Sequence, residues 1–216
     1  MKRRLEVPVA LCDLEHDRRK HGRGEGDGDA GEENRNNYGF RKSELLPGNI
    51  GYIQFDMFQG SQQAQEAAAA ALASVADCDA LVFDLRENRG GSPQMIRFIS
   101  SYLFDKPTHL NSFYDRLSNK SSETWTLESV PGKRFPNDLP VYVLTSSLTG
   151  SAAEEFTYNL KNLGRATIVG ERTVGAAHLV TERVINEQFL LRVPYARAYN
   201  PVTKDNWEGV GVTQWP

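Results

Sequence analysis

Four short apolar runs alternate with helix-forming segments along the chain, and this alternation limits the folds that the chain can adopt. The runs are GNIGYIQFDMF, ALVFDLR, LPVYVLTSS and RATIVGE. Nearly continuous apolar strands are typical of parallel sheets covered on both faces, and each parallel pair needs a long crossover, usually a helix. The sequence therefore predicts an α/β fold with mainly parallel, buried strands.

The segments between these runs predict helices with recognisable ends. QQAQEAAAAALASVAD consists largely of strong helix formers, and SPQMIRFISSYLF places Pro93 in a first turn, where proline is tolerated. SAAEEFTYNLKNLG begins at Ser151 and ends at Gly164, with apolar residues three or four positions apart. Near the C-terminus, polar and apolar residues alternate around Asn186 and Glu187, which predicts a hairpin.

Residues 1–37 differ from the rest of the chain. The segment HDRRKHGRGEGDGDAGEENRNN mixes both charge signs with five glycines and has almost no apolar residue. Because such a composition does not support a packed core, we expect a flexible N-terminal arm over residues 1–37 and one domain over residues 38–216. Glu6 interrupts the short apolar stretch after the basic start, so we expect no signal peptide. No apolar run approaches the roughly 18 residues of a membrane span.

Net charge and cysteine content narrow the function classes. The net charge is −3, whereas nucleic-acid surfaces carry an excess of clustered Lys and Arg, so we expect no nucleic-acid partner. Cys12 and Cys78 make neither a disulfide framework nor a metal box, and they are either free thiols or a single bridge. The cysteines leave the compartment open.

Two polar motifs, DLRENRGGSPQ and TSSLTGSAAEE, follow neighbouring strands of the predicted sheet. In such a sheet the carboxyl ends of the strands meet at one edge, where ligands and chemistry are found. In the first motif, Gly90 and Gly91 could aim a backbone amide into the crevice, or could simply form a strand-to-helix turn. Asp84 and Arg86 are predicted to form an ion pair that holds this end of the sheet.

Ser151, in the second motif, has two interpretations. With Glu154 it forms the S-x-x-E pattern of a capping box, in which the serine is only a helix cap. The small neighbours Gly150, Ala152 and Ala153 would, however, leave its hydroxyl and the adjacent amides uncovered. At a helix N-terminus, free amides and the helix dipole favour a developing oxyanion, so a nucleophile is the second interpretation.

These motifs together resemble the tail-specific, or C-terminal-processing, serine protease family. Within it they are most similar to the branch that contains the tricorn-protease core and the bacterial relatives of interphotoreceptor retinoid-binding protein. The matching stretches cover most of residues 37–216 and are NYGFRKSELLPGNIGYIQF, ALVFDLRENRGGSPQMIRFISSYLF, PVYVLTSSLTGSAAEEFTYNLKNLGRATIVGERTVGAAH and NPVTKDNWEGVGV. The resemblance implies a ClpP/crotonase-like superhelix of repeated ββα units, peptide substrates, and no metal or organic cofactor. Members of the family are often exported.

The resemblance also implies a set of site residues. Ser151 matches the family nucleophile, and the oxyanion donors map to the amide of Gly91, or its neighbour Gly90, and to the amide of Ala152. The general-base lysine of many members falls on Ala176, so a Ser–Lys dyad is excluded at that position.

The tricorn-like branch instead uses an upstream histidine and a late glutamate, and Glu208 in NWEG occupies the place of the glutamate. The histidine has no clear match. His16, in the arm, and His178, two residues past the lysine position, are the candidates. Each also has a plainer interpretation: His16 as a solvated arm residue, and His178 as a loop residue bonded to the backbone. We expect His109 to be a loop residue.

Three functions follow. The first is a serine hydrolase, most simply a peptidase, that forms an acyl-enzyme on Ser151. Esterase activity is a close variant, because hydrolysis of an ester tolerates a weaker general base. The second is a non-catalytic module that binds apolar ligands. The third is an incomplete fragment of a larger peptidase. The substrate and the oligomeric state, including a homo-oligomer, stay open.

Overall fold

The computed structural model describes residues 11–13, for which only the backbone is considered, and residues 36–214. The strands are β1 (Leu11–Asp13), β2 (Phe40–Leu46), β3 (Ile50–Phe55), β4 (Ala80–Asp84), β5 (His109–Asp115), β6 (Lys120–Trp125), β7 (Val141–Thr145), β8 (Thr167–Gly170), β9 (Leu179–Val184) and β10 (Phe189–Tyr199). The helices are α1 (Gln62–Ala73), α2 (Pro93–Ser100) and α3 (Ala152–Asn162), and a 3₁₀ turn covers Asn37–Gly39.

The four apolar runs form a mainly parallel sheet, as the alternation predicted. Its strand order is β2-β3-β4-β7-β8. The pairs β3/β4, β4/β7 and β7/β8 are parallel, and β2 joins the edge antiparallel to β3. The carboxyl ends of β4 and β7 are therefore adjacent, and the two polar motifs leave the sheet side by side.

Local sequence explains where the first two crossover helices begin. The Ser61 hydroxyl accepts the N–H of Ala64 at 3.2 Å and caps α1, whose small Ala68 and Ala71 side chains pack closely in the core. Ser92 caps α2 by accepting the N–H of Gln94, and proline follows at the first helical position. Both helices end earlier than predicted, because turns replace the last residues of each segment.

Phenylalanine rings fix α3 to the parallel sheet. The ring centroid of Phe156 lies 5.6 Å from that of Phe58 and 5.3 Å from that of Phe83. Phe156 and Leu160 are completely buried. One face of the helix that begins next to Ser151 is therefore anchored in the main core.

A second sheet is antiparallel and covers the opposite side of α3. Its order is β1-β10-β5-β6, with β9 also paired to β10. A small second core lies here, and Tyr158 and Leu179 pack against it; it consists of Phe113, Ala177, Ala196, Ala198, Trp207 and Val212. α3 thus has a parallel sheet on one side and the antiparallel sheet on the other.

Strands β1, β2, β5 and β6 were not predicted, and the expectation for His109 was wrong. β6 is almost wholly exposed and polar, so its pairing with β5, rather than its own composition, makes it a strand. His109 is the first residue of β5 and not a loop residue. Its ring stacks on the exposed Trp125, with centroids 4.8 Å apart.

Candidate active site

The loops that follow β4 and β7 are tied together at the carboxyl edge of the parallel sheet. The Thr149 hydroxyl donates to the carbonyl oxygen of Leu85 at 2.8 Å. The N–H of Gly150 donates to the carbonyl oxygen of Asn88 at 3.1 Å. Since Thr149 and Asn88 are fully buried, these bonds set the loop carrying Ser151 against the glycine loop.

Ser151 has an unusual backbone conformation, with φ of 54° and ψ of −119°. A residue other than glycine pays a steric cost at positive φ, and helix caps normally have extended dihedrals. Strained backbone of this kind concentrates at functional sites, where the surrounding structure enforces it. Ser151 is also exposed, so its hydroxyl is accessible to a substrate.

Both contacts of the predicted capping box are present, but only the one made by Glu154 is a hydrogen bond of ordinary geometry. Ser151 and Glu154 stand in the capping-box arrangement, and the Glu154 carboxylate accepts the N–H of Ser151 at 2.8 Å. The serine hydroxyl, however, forms no cap hydrogen bond of ordinary geometry. The glutamate therefore holds the backbone of the turn, and the serine hydroxyl makes only a weak contact with the helix N-terminus.

Glu154 also fastens the loop that follows β8. Its fully buried carboxylate accepts the hydroxyl of Thr173 at 2.5 Å and the N–H groups of Gly175 and Ala176 at 2.5 and 2.9 Å. Ala176, the residue at the vacant lysine position, shares the Oε2 atom with Ser151. One carboxylate thus joins the turn of Ser151 to the loop that leads to His178.

Gly90 and Gly91 are required by the site. A Cβ on Gly90 would lie 2.7 Å from the Cβ of Ser151, and a Cβ on Gly91 would lie 2.3 Å from the carbonyl oxygen of Phe58. Both have positive φ, at 113° and 133°. No other residue type fits at either place, and the Gly90 backbone lies directly against Ser151.

Asn88 forms a hydrogen bond with the amide of Gly90 but not with that of Gly91. Its Oδ1 accepts the N–H of Gly90 at 2.9 Å, and its Nδ2 donates to the carbonyl oxygen of Phe55 at 3.0 Å. Within residues 36–214 no acceptor is found for the N–H groups of Gly91 and Ala152. These two amides, rather than that of Gly90, are therefore available to an anionic ligand.

Glu208 and His178 lie together. The Glu208 Oε2 accepts the N–H groups of Ala177 and His178 at 2.7 and 3.1 Å, and it lies 3.7 Å from the Nδ1 atom of His178. The Nε2 atom of His178 is buried and has no hydrogen-bond partner in the described part of the chain. Nδ1 of the imidazole thus lies beside a carboxylate, and Nε2 has no hydrogen-bond partner among the described residues.

The remaining predicted residues either take their expected places or lie outside the described ranges. Asp84 is buried, and its carboxylate binds Arg86 at 2.6 Å, which confirms the expected ion pair at the sheet end. Tyr52 donates to the same carboxylate, and burial with this contact raises the pKa of Tyr52 to about 12. His16 lies outside the described residues. Cys78 is a buried free thiol.

The described residues give no sign of a metal centre or of a membrane helix. Among them, no group of three or more His, Cys, Asp or Glu side chains is placed to hold a metal ion. In the same ranges no helix is both long and apolar enough to cross a bilayer.

Sequence reasoning missed Asn88, Thr149 and the second role of Glu154. The signal for Asn88 was present, since an asparagine two residues before a Gly-Gly pair can accept a turn amide through its side chain. The contact between Glu154 and the loop after β8 joins residues about twenty positions apart, and no local pattern reports it.

Comparisons with known proteins agree on one family. The model of peptidase family S41 matches residues 49–214. A carboxyl-terminal-processing protease of Picosynechococcus sp. is 29% identical over 127 residues, which cover 58% of this chain and 29% of the relative. A protein of Staphylococcus saprophyticus described as a probable CtpA-like serine protease is 25% identical over 167 residues, which cover 77% of this chain and 33% of the relative.

A solved structure supports the same relationship. The photosystem II D1 C-terminal processing protease superposes with a TM-score of 0.59 and 26% identity, over 79% of this chain and 43% of that one. The chain thus spans about a third of the length of the curated relatives that it matches.

Proposed function

The chain belongs to peptidase family S41, and on this premise we propose that it is a serine peptidase acting through an acyl-enzyme on Ser151. The single observation that carries this proposal is the positive φ of Ser151, because a residue that served only as a helix cap would not need a strained backbone. The exposed position of Ser151 and its lack of a cap hydrogen bond of ordinary geometry support the same role.

The oxyanion of the tetrahedral intermediate would be held by the N–H groups of Gly91 and Ala152. The Gly90 amide is already bonded to Asn88, which favours Gly91 of the two candidates. The Ala152 amide lies in the first turn of α3, where the helix dipole adds to the stabilisation of a negative charge. Backbone amides aimed at a developing oxyanion are among the largest contributions to acyl transfer.

We assign the general base to His178, and its position beside Glu208 supports this choice. In this role its Nε2 atom takes the proton of the Ser151 hydroxyl as the oxygen attacks the carbonyl carbon, and then gives it to the leaving amine. Glu208, beside Nδ1, stabilises the imidazolium formed in between. Water then hydrolyses the ester bond to Ser151 in the same way. His16 is the alternative base.

Polypeptide chains are the proposed substrates, cleaved near their carboxyl ends, because the matched relatives are named as carboxyl-terminal processing proteases. Esters are proposed as additional substrates, since the leaving group of an ester needs less help from the general base than the leaving group of an amide. We propose that residues 38–216 form the catalytic domain. Its alternation of strands and crossover helices supports a ClpP/crotonase-like superhelix, with β9 and β10 as its C-terminal hairpin.

The test is hydrolysis of a p-nitrophenyl ester and of casein by the purified chain. Ser151→Ala is expected to lower both rates to background, and His178→Ala is expected to lower them by about 100-fold or more. Ser147→Ala, an exposed serine of the same loop, is the matched control and should keep full activity. Equal rates for wild type and Ser151→Ala would refute the proposal, and loss of activity in His16→Ala alone would move the base to the arm.

A further inference from the structure

Four polar side chains are buried where α3 meets the antiparallel sheet. Asn111 belongs to β5, Glu155 and Asn159 belong to α3, and Asn200 follows β10. None of the four is more than 4% exposed. We call these residues the polar seam, because they lie between the face of α3 that carries Tyr158 and the second sheet.

The polar seam has one internal hydrogen bond and several buried atoms with no partner. Asn200 donates from Nδ2 to the Oδ1 of Asn159 at 3.1 Å. Among the described residues, no hydrogen bond is made by Oε1 of Glu155, by either polar atom of the Asn111 side chain, or by Nδ2 of Asn159. Burying such groups without partners costs roughly 1–3 kcal/mol each, so native proteins seldom leave several together.

The unpartnered atoms belong to side chains that are neighbours. Glu155 and Asn159 are four residues apart on one helix and so share a face. The Asn111 amide lies close enough to Glu155 to influence its carboxyl group, although no hydrogen bond of ordinary geometry joins them. Side-chain amides can both donate and accept, and a buried water typically makes two to four hydrogen bonds to such groups.

We propose that Glu155, Asn111 and Asn159 form an internal water-binding site that positions α3, and with it Ser151, against the antiparallel sheet. The positioning part of this inference rests on the proposed function of Ser151. The binding part rests only on the buried, unpartnered side chains and stands without it.

The polar seam connects the two parts of the active site. Glu155 lies four residues after Ser151, one helical turn along α3. At the other end, Asn200 bonds to Asn159 and accepts the N–H of Val202 at 2.9 Å, which fixes the turn that leads to Glu208. Water in the seam would therefore set the distance between the nucleophile helix and the segment that carries the orienting carboxylate.

Glu155 is the member of the polar seam whose charge can change. Burial raises the pKa of Glu155 to about 7, and the Asn111 amide opposes this only in part. The charged or basic side chains on the elements around α3 are engaged elsewhere: Asp84 on β4, Arg97 on α2, His109 and Asp115 on β5, Arg192 and Arg197 on β10, and Glu154 and Lys161 on α3 itself. The protonated carboxyl group is the form that fits an uncharged, water-filled seam.

The first test is a high-resolution crystal structure of the full chain at about pH 5.5. We expect ordered water within hydrogen-bond distance of Oε1 of Glu155 and of a polar atom of Asn111 or Asn159. Direct side-chain bonds that satisfy all of these atoms, or a dry seam, would overturn the water site. This result does not depend on any activity of Ser151.

The second test compares the pH dependence of Ser151 labelling by a fluorophosphonate in wild type and Glu155→Gln, which mimics the protonated acid. The ratio of variant to wild-type rate should be near one at about pH 5 and should rise severalfold above about pH 8. Glu128→Gln, an exposed glutamate, is the control and should give a constant ratio.

A constant ratio for Glu155→Gln would overturn the positioning role, because a merely structural residue would shift the rate equally at every pH. Absence of labelling in all three proteins would contradict the proposed function and, with it, the positioning role that rests on it. The water site would still be decided by the crystal structure.

Discussion

Glu154 accepts the backbone N–H of Ser151 at 2.8 Å through the same oxygen that accepts the N–H of Ala176. Glu154, which the S-x-x-E pattern identifies as part of a helix cap, thus also connects two loops of the site. It holds the turn of Ser151, with its strained φ, against the segment that leads to His178. Because the carboxylate is completely buried, four donors depend on it as their acceptor.

Replacing Glu154 should destabilise the folded protein. In Glu154→Gln one oxygen becomes an NH₂ group that faces backbone N–H donors, so at least one buried donor loses its acceptor. We expect the free energy of unfolding to fall by about 2–4 kcal/mol, measured by urea denaturation at pH 7. The neighbouring Glu155→Gln makes the same chemical change in a different environment and should not destabilise the protein. Equal destabilisation by both variants would contradict the assigned role of Glu154.

Gly90 should tolerate no side chain, because its Cβ would lie 2.7 Å from the Cβ of Ser151. We expect Gly90→Ala to reduce the rate of fluorophosphonate labelling by about tenfold or more, since the added methyl group displaces Ser151. The control is Gly132→Ala: Gly132 also has positive φ, but a Cβ added there would meet no atom within 4 Å. That variant should lose only stability, and similar labelling rates for the two variants would count against the crowding of Ser151 by a side chain at position 90.

Stability should depend on pH through Glu155. The folded pKa is about 7 and the ordinary value is 4.5, so between these values the native protein binds a proton that the unfolded chain releases. The stabilisation is complete below about pH 4.5 and is lost as pH rises through about 7, in total on the order of 3 kcal/mol. The Glu155→Gln variant should not show this loss of stability, because its side chain does not ionise.

Thermal unfolding from pH 5 to 9 measures the effect. The Tm of Glu155→Gln should exceed that of wild type by an increasing margin as the pH rises, and the margin should level off above about pH 8. Parallel curves for the two proteins would mean that the carboxyl group is ionised, or solvated, throughout the range.

The sequence predicted the parallel sheet because its parallel strands read as apolar runs, as in ALVFDLR, although β8 at the edge is buried at Ile168 alone. It also placed Ser151 and the two glycines at one edge, since the carboxyl ends of parallel strands must meet there. The strands β5 and β6 escaped prediction because their residues are largely polar and only pairing makes them strands.

The site was only partly predictable for a related reason. The capping-box pattern around Ser151 is local, so the sequence allowed both interpretations of Ser151, as a helix cap and as a nucleophile. The positive φ that separates them cannot be read from that pattern, and the close approach of Gly90 to Ser151 depends on the fold. The pairing of Glu208 with His178, thirty residues apart, likewise needs the loop geometry after β8.

The central claim is that Ser151 is a nucleophile, and the most direct measurement is mass spectrometry of the chain after reaction with a fluorophosphonate. We expect a single adduct that maps to Ser151, that is absent in Ser151→Ala and that persists in Ser147→Ala. An unmodified wild-type chain, or an adduct that survives in Ser151→Ala, would contradict this claim and would return Ser151 to the role of a helix cap.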